Sequence, residues 1–426
     1  MMERWLLIGR VALRNLRRQL RRSLLTASAM VLGVGLLMFV RSLEGGAHLV
    51  YVDTATRMGT GHIAMEHPDY MGSQDLADRI ASPDLTRVLA AVEGSVPPGE
   101  LVAVFPQLNV GGLAQSATSS IPVRITGVDP TLEAETSFLA GQVVEGRYLT
   151  ADDRLEAIVG IGVAERLRLE LGSRLVLMAA GAEGDLESQL VLVTGIFRSG
   201  IPEVDRGVVQ LPLATAREWL EIGDDATSVS VILTSDQRTG DIADAVRSHL
   251  AGEGVGPERL AVRPWWEAMP DLYAGLRADT VQTYIMLLVL LGIVALAVVN
   301  SILMAVLNRT REFGVLRALG LNRRAVGAMV LVEGVILTVA SGLVGMLLGL
   351  AISMGVFRDG VDISFLFGGE LAFAGSVIDP VIPPAVLASD VIAILTIVIA
   401  IGIVATLYPA WHATRIEPAE AMKTDE

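Results

Sequence analysis

Four long apolar runs divide the chain into polar stretches of unequal length. Ser23 to Val40 holds 18 residues without a charge, Thr280 to Asn308 holds 29, Gly334 to Phe357 holds 24, and Val391 to Trp411 holds 21. A helix needs roughly 20 apolar residues to cross ~30 Å of hydrocarbon, so each run predicts a membrane span. The third run extends back to Ala325 and then encloses Glu333. Runs of this length are rare in soluble cores, and four together argue against one. Ahead of the first, Trp5, Ile8, Ala12, Leu16 and Leu20 recur at steps of three and four, with Arg10, Arg14, Arg17, Arg18 and Arg21 on the other side. That pattern predicts an interfacial helix at headgroup level. The basic stretch is long for a signal peptide and no small-x-small site precedes Arg41-Ser42-Leu43-Glu44, so an uncleaved anchor is expected.

The polar stretch after the first span mixes two periods. Gly61 to Glu66 alternates like a strand, Asp84 to Val96 has helical spacing closed by Pro97-Pro98, and Leu101–Leu113 and Ile121–Val128 read as strands. Ser228–Thr234, Asp241–Leu250 and Leu260–Pro264 repeat strand, helix, strand. Between these halves lie strands at Arg174–Met178, Gln189–Phe197 and Val208–Gln210, and helices near 161–169 and 213–221. The expected fold is a membrane protein with four transmembrane α-helices plus a large α+β external domain, a split β-α-β with an inserted mainly-β subdomain. Its organisation is an interfacial helix over 1–22, a first span over 23–44, and the domain over 45–270 with the insertion at about 131–225. A stalk and second span follow over 271–308, a short amphipathic helix over 309–324, a third span over 325–357, an external loop over 358–390, a fourth span over 391–411 and a tail over 412–426. Asp271 to Asn308 has no proline and only Gly275 and Gly292. A continuous helix there would span ~55 Å, longer than the hydrocarbon, whereas a kink at Gly275 would break it.

Composition agrees with the spans: 52% of the 426 residues are hydrophobic and 19% are charged. The chain is too apolar for disorder, and its net charge of -14 does not suit nucleic acid. The charge is unevenly placed. Residues 1–22 carry +6 and 308–333 carry +3, against -17 over 41–279, -4 over 358–390 and -2 over 412–426. The positive-inside rule puts both termini and the 308–333 loop in the cytoplasm and the large domain outside.

Chemistry is sparse. There is no cysteine, which excludes disulfides, thiolate zinc and cysteine nucleophiles. Lys423, the single lysine, follows Met422, so these residues hold no Walker A motif and any ATP used is bound by another chain. His48, His62, His67, His249 and His412 show no His-x-x-x-His spacing, and no Gly-x-Ser-x-Gly elbow occurs. No catalytic, cofactor or metal residues are assigned. Glu333 is expected to reach water or pair with Arg323 or Arg324. Gly334, Ser341, Gly342, Gly345 and Gly349 predict close helix packing.

The segment Asn308-Arg309-Thr310-Arg311-Glu312-Phe313-Gly314-Val315-Leu316-Arg317-Ala318-Leu319-Gly320 carries the most information. Arg309 and Glu312 sit one turn apart, while Phe313, Leu316 and Leu319 or Gly320 make an apolar face. With Arg323-Arg324 behind it, this run resembles the coupling-helix region of the FtsX-like/MacB permease family of ABC transporters. The closing Tyr408-Pro409-Ala410-Trp411-His412-Ala413 and Pro418-Ala419-Glu420-Ala421-Met422 are similar to that family's end, and Ala12-Leu13-Arg14-Asn15-Leu16 to its start. Within the family, Ile158 to Leu167 with Leu171-Gly172-Ser173, and Val193 to Gly207, point toward the lipoprotein-releasing (Lol) permeases.

The resemblance implies a non-catalytic permease subunit of a bacterial inner membrane, multi-pass, with its large domain periplasmic. It implies an ABC ATPase subunit as partner, a second permease chain of the same or a different kind, a periplasmic carrier or adaptor, and contact with membrane lipids. Carried over by position, Arg309, Glu312, Phe313, Leu316, Arg317 and Gly320 would meet the ATPase. The implied function is ATP-driven release of lipoproteins. The alternatives are MacB-like export of a drug, peptide or lipid, and FtsX-like signalling to cell-wall hydrolases.

Overall fold

The computed structural model describes residues 20–362, 371–373, 376–378 and 381–415. The interfacial helix expected over 1–22 lies outside them up to residue 19, as does the tail beyond 415. The chain divides into two compact units, the first holding residues of 1–49, 277–362 and 381–426, the second those of 50–276 and 363–380. Helix α1 runs from Leu20 to Ala55, well past the first apolar run. Neither proline nor a local cap interrupts it, and Gly45-Gly46 does not break it. A single π-helical turn over Thr56–Thr60 ends it, with Gly59 at φ +127° and Gly61 at φ +74°. Glycine is required at Gly61, because a Cβ there would lie 2.8 Å from the Val231 backbone.

In the second unit, β1 (Ile63–Glu66), β2 (Leu101–Gln115), β9 (Ser228–Leu233) and β10 (Ala261–Pro264) lie in the order β10-β1-β9-β2, all antiparallel. Helices α2 (Ser82–Ser95) and α3 (Thr239–Gly252) cover one face. Leu85, Val88 and Val92 of α2 and Ile242, Val246 and Leu250 of α3 close over Ile63, Met65, Val229 and Val231. This is a split β-α-β pair whose halves are far apart in sequence.

The segment between the halves joins the same sheet through β2. Its first half pairs with β9, and its second half with β3 (Ser120–Val128) and β6 (Arg174–Ala180). Beyond β3 follow β8 (Val208–Pro212), β5 (Glu156–Gly160), β7 (Leu186–Phe197) and the edge strand β4 (Val143–Gly146). Leu108, Ile125, Val159, Leu177, Val193 and Val209 form the core here. Two of these strands went unread in the sequence. β5 is flanked on both sides, so its buried Ala157-Ile158-Val159-Gly160 run has no alternation. β4 is a four-residue edge strand with hardly any pattern.

The first unit is mainly helical, with one short antiparallel pair, Val361–Asp362 against Val381–Ile382. After α4 (Pro270–Asn308) come α5 (Thr310–Ala318), α6 (Arg323–Ala351) and α7 (Ala388–Thr414). α4 runs as one helix through Gly275. With α1, three of these helices are long and apolar enough to cross a membrane, four among the described residues. Small residues set their spacing. A Cβ on Gly349 of α6 would lie 2.6 Å from the Gly35 carbonyl of α1, and one on Gly345 would lie 2.7 Å from the Val31 carbonyl. Between α6 and α7, Gly334 sits against Thr406 and Gly402 against Thr338. Such close approaches replace the hydrophobic drive that is absent between helices in lipid.

Candidate functional site

α5 begins where α4 stops. The backbone leaves the helix at Arg309 (φ -112°, ψ 15°), and the Phe313 amide then donates to the Arg309 carbonyl at 3.0 Å. At the other end Gly320 takes φ +97°, the left-handed conformation of a helix terminator. The Gly320 and Leu321 amides close on the Arg317 and Leu316 carbonyls, each at 3.0 Å. Asn322 then caps α6 by accepting from the Arg324 amide. The nine residues of α5 are thus bounded at both ends by local chemistry.

Packing gives α5 one fixed orientation. Phe313 is 1% exposed and sits among Val298, Ile302, Val306, Val326, Met329 and Val330, with Leu316 against the same cluster. Leu319 is 80% exposed and Gly320 is exposed too, so the packed face is Phe313, Gly314 and Leu316, without Leu319 or Gly320. Position 319 lies a helical turn beyond Val315, which is also exposed. The outward surface is Arg311, Glu312, Val315, Ala318 and Leu319. Arg317 is half-buried and Gly320 exposed.

Arg309 is 7% exposed and lies under this surface. Its Nε donates to Glu312 at 3.0 Å and its Nη1 to Glu333 of α6 at 3.0 Å, while the guanidinium sits 5.1 Å from the centre of the Phe313 ring. Glu333 therefore pairs with Arg309, not with Arg323 or Arg324. The two latter residues are exposed at the start of α6, two turns or more from Glu333. The sequence signal was the ionisable residue inside a span; its partner lies 24 residues away and was not readable from spacing.

The external stretches Ile158–Leu167 and Val193–Gly207 meet one another. Asp205 accepts from the Ser199 amide at 2.7 Å, the Ser199 hydroxyl at 2.8 Å and the Gly200 amide at 3.2 Å. Gly160 and Gly162 let the Asp205-Arg206 backbone approach. These residues lock a loop and present no reactive group. His62 is buried, with Nδ1 accepting from the Leu233 amide at 3.2 Å, and burial holds its pKa below the usual value. His67 Nδ1 lies 3.6 Å from Asp78 and 3.9 Å from Asp69, so a protonated His67 pairs with both. Among the described residues these three have ligand atoms close enough to share a cation, and Asp69 is open to water.

Residues 23–249, just over half of the chain, match the MacB-like periplasmic core domain, and residues 284–418 match the FtsX-like permease C-terminal family. The second match contains all of α5. The chain belongs to the FtsX-like/MacB permease family. It is thus an ABC transporter permease of the FtsX/MacB/Lol type, a permease-type subunit with four membrane helices and a large periplasmic domain.

Similar members of the family carry different names. The lipoprotein-releasing system transmembrane protein LolC of Neisseria meningitidis is 24% identical over 76% of this chain and 78% of its own length. LolE of Haemophilus influenzae is 22% identical with the same coverage. The macrolide export ATP-binding/permease protein MacB of Nitrobacter winogradskyi is 24% identical over 94% of this chain and 58% of its own length. Among solved structures, the periplasmic region of MacB from Actinobacillus actinomycetemcomitans aligns with 55% of this chain and 97% of that chain, at 12% identity and a TM-score of 0.36.

Proposed function

We propose that this permease releases lipoproteins from the outer leaflet of a bacterial inner membrane, driven by a separate ABC ATPase that docks on α5. The observation that carries the docking is α5 itself. It is a short helix with an outward Glu312-Val315-Leu319 surface, held from beneath by the buried Arg309 and Phe313. In this reading Glu312 and Arg317 meet the ATPase directly, Arg309, Phe313 and Leu316 set the angle of the helix, and Gly320 ends it. ATP closure displaces α5, and the unbroken α4 carries that displacement outward. A helix without proline or kink transmits axial force with little bending. A second permease chain completes the complex, and a periplasmic carrier receives the product.

The relatives named LolC and LolE support the lipoprotein substrate. MacB relatives of similar identity support a second reading, export of a small molecule, peptide or lipid with a periplasmic adaptor. One experiment separates them. The permease is purified with its partner ABC ATPase, and ATP turnover and release to a carrier are measured with triacylated lipoprotein. Stimulated turnover with release supports the first reading. Neither stimulation nor release, with stimulation by a macrolide or peptide instead, moves the function to export.

A further inference from the structure

Glu333 has no part in the docking surface, yet it is an ionisable residue in a membrane helix, where such residues are rare and functional by default. Its partner stands at the most sensitive backbone position of the region. Arg309 is the single residue between α4 and α5, and its guanidinium reaches two carboxylates on two other elements. One is Glu312 on the first turn of α5, and the other is Glu333 on α6, both at 3.0 Å. The planar fork of arginine allows this, because Nε and Nη1 point to different acceptors and hold their angle; a lysine ammonium would not fix it. The guanidinium also packs over Phe313, which is sealed from water. Phe313 packs against Val326, Met329 and Val330 of α6, a contact without direction. The bond to Glu333 adds a directional tie from the break at Arg309 to α6.

We propose that Glu333 is a positioning residue: through Arg309 it fixes the first turn of α5 to α6, so that a push on α5 is delivered to the membrane helices rather than lost as rotation of α5. This rests on the reading that an ATPase docks on α5, but its structural half can be tested without substrate. The chain has no cysteine, so a nitroxide pair on Ala318→Cys and Leu343→Cys reports the α5–α6 separation without background. Both positions are exposed. The parent protein and Glu333→Asp give one narrow distance distribution. Glu333→Gln, which keeps the shape and loses the charge, splits it into several populations, and Arg309→Lys, which keeps the charge and loses the fork, does the same. In the complex with its ATPase, Glu333→Gln retains the co-purifying ATPase, ATP consumed per substrate released rises about tenfold, and Glu333→Asp restores the parent ratio. An unchanged distance distribution in both Glu333→Gln and Arg309→Lys overturns the proposal. So does a split distribution with an unchanged ratio of ATP to release, or loss of the ATPase from the Glu333→Gln complex. A parent complex that releases no lipoprotein would instead overturn the substrate reading, and the distance measurement would still decide the role of Glu333.

Discussion

The side chains of Glu133 and Gln107 meet in the interior of the periplasmic domain, where Gln107 Nε2 donates to the Glu133 carboxyl at 2.8 Å. The Asp129 amide donates to the other oxygen at 3.3 Å. Glu133 is 1% exposed, and this desolvation pushes its pKa up to about 8 against the pull of both hydrogen bonds. At neutral pH the group is a buried neutral acid.

The sign of its effect on stability follows. Below about pH 4.5 both folded and unfolded states hold the proton, and Glu133 contributes no pH dependence. As pH rises toward about 8 the unfolded state ionises while the folded state does not, so stability falls across that window and then levels off. Glu133→Gln keeps an acceptor for Gln107 and cannot ionise. Measured against the parent's, its melting temperature should rise steadily from pH 4.5 to pH 8. Scanning calorimetry at three pH values checks this; a gain that is flat with pH would mean that Glu133 is ionised in the fold. Glu133→Leu should destabilise at every pH, because it strands the Gln107 amide.

The crossing of α1 and α6 is tight enough to test with one side chain. A Cβ at Gly349 meets the Gly35 carbonyl at 2.6 Å and Met38 Cβ at 2.8 Å. Both are parts of a helix with no freedom to withdraw locally. Gly349→Val should therefore force the helices apart, with a loss of about 1–3 kcal/mol seen in unfolding of the detergent-solubilised protein. Gly355, with open space around it, serves as the control, and Gly355→Val should leave stability nearly unchanged.

How far the chain was readable depended on the distance over which each feature is encoded. The four spans and α5 were legible because their signals are local: apolar length, arginine placement, and a Gly320 terminator two residues past the end of the helix. The split β-α-β was legible because each half keeps its own strand-helix-strand order. The β2-spanning sheet was not, because a strand that changes neighbours halfway leaves no mark in its own alternation. The Arg309–Glu333 pair was hidden for the same reason. Arg323 and Arg324 were nearer in sequence, and only the antiparallel return of α6 brings Glu333 to the pivot. The Val193–Gly207 stretch was noticed for its resemblance, and its physical content, a carboxylate closing a loop, appeared only in the fold.

That loop gives a stability prediction. Asp205 satisfies three donors of Ser199 and Gly200, two of them backbone amides. Asp205→Ala leaves these donors without their acceptor, and hydrogen bonds to charged groups contribute about 1.5–3 kcal/mol each before neighbours relax. The variant should unfold earlier in urea and be cleaved faster by protease near residue 200. Asp205→Asn, which keeps one acceptor oxygen, should fall between the two.

Glu312 is half-exposed on the outward face of α5 and also bonds Arg309. If the ATPase meets this face, Glu312→Ala should lower coupled ATP turnover by about tenfold while membrane insertion and thermal stability stay close to the parent's. The loss of this pair costs the fold little, since its Glu312 side is open to water and the buried Arg309 retains Glu333. Unchanged coupled turnover in reconstituted vesicles would remove Glu312 from the docking surface.

The sidedness of the chain can be read from the β6–β7 hairpin. Its register continues to Ala180↔Leu186, and residues 183–185 beyond it are exposed, with Gly184 at φ +85°. A protease site inserted after Gly184 lengthens a turn that already faces water and leaves both strands paired. By the positive-inside rule, the seven arginines of residues 1–22 and the five of residues 308–333 predict that this turn lies outside. Protease added to spheroplasts should cut the tagged protein within the large domain. In sealed inside-out vesicles the site should be protected until detergent is added. Cleavage in the vesicles alone would reverse the orientation, and with it the cytoplasmic position of α5 that the proposed ATPase docking requires.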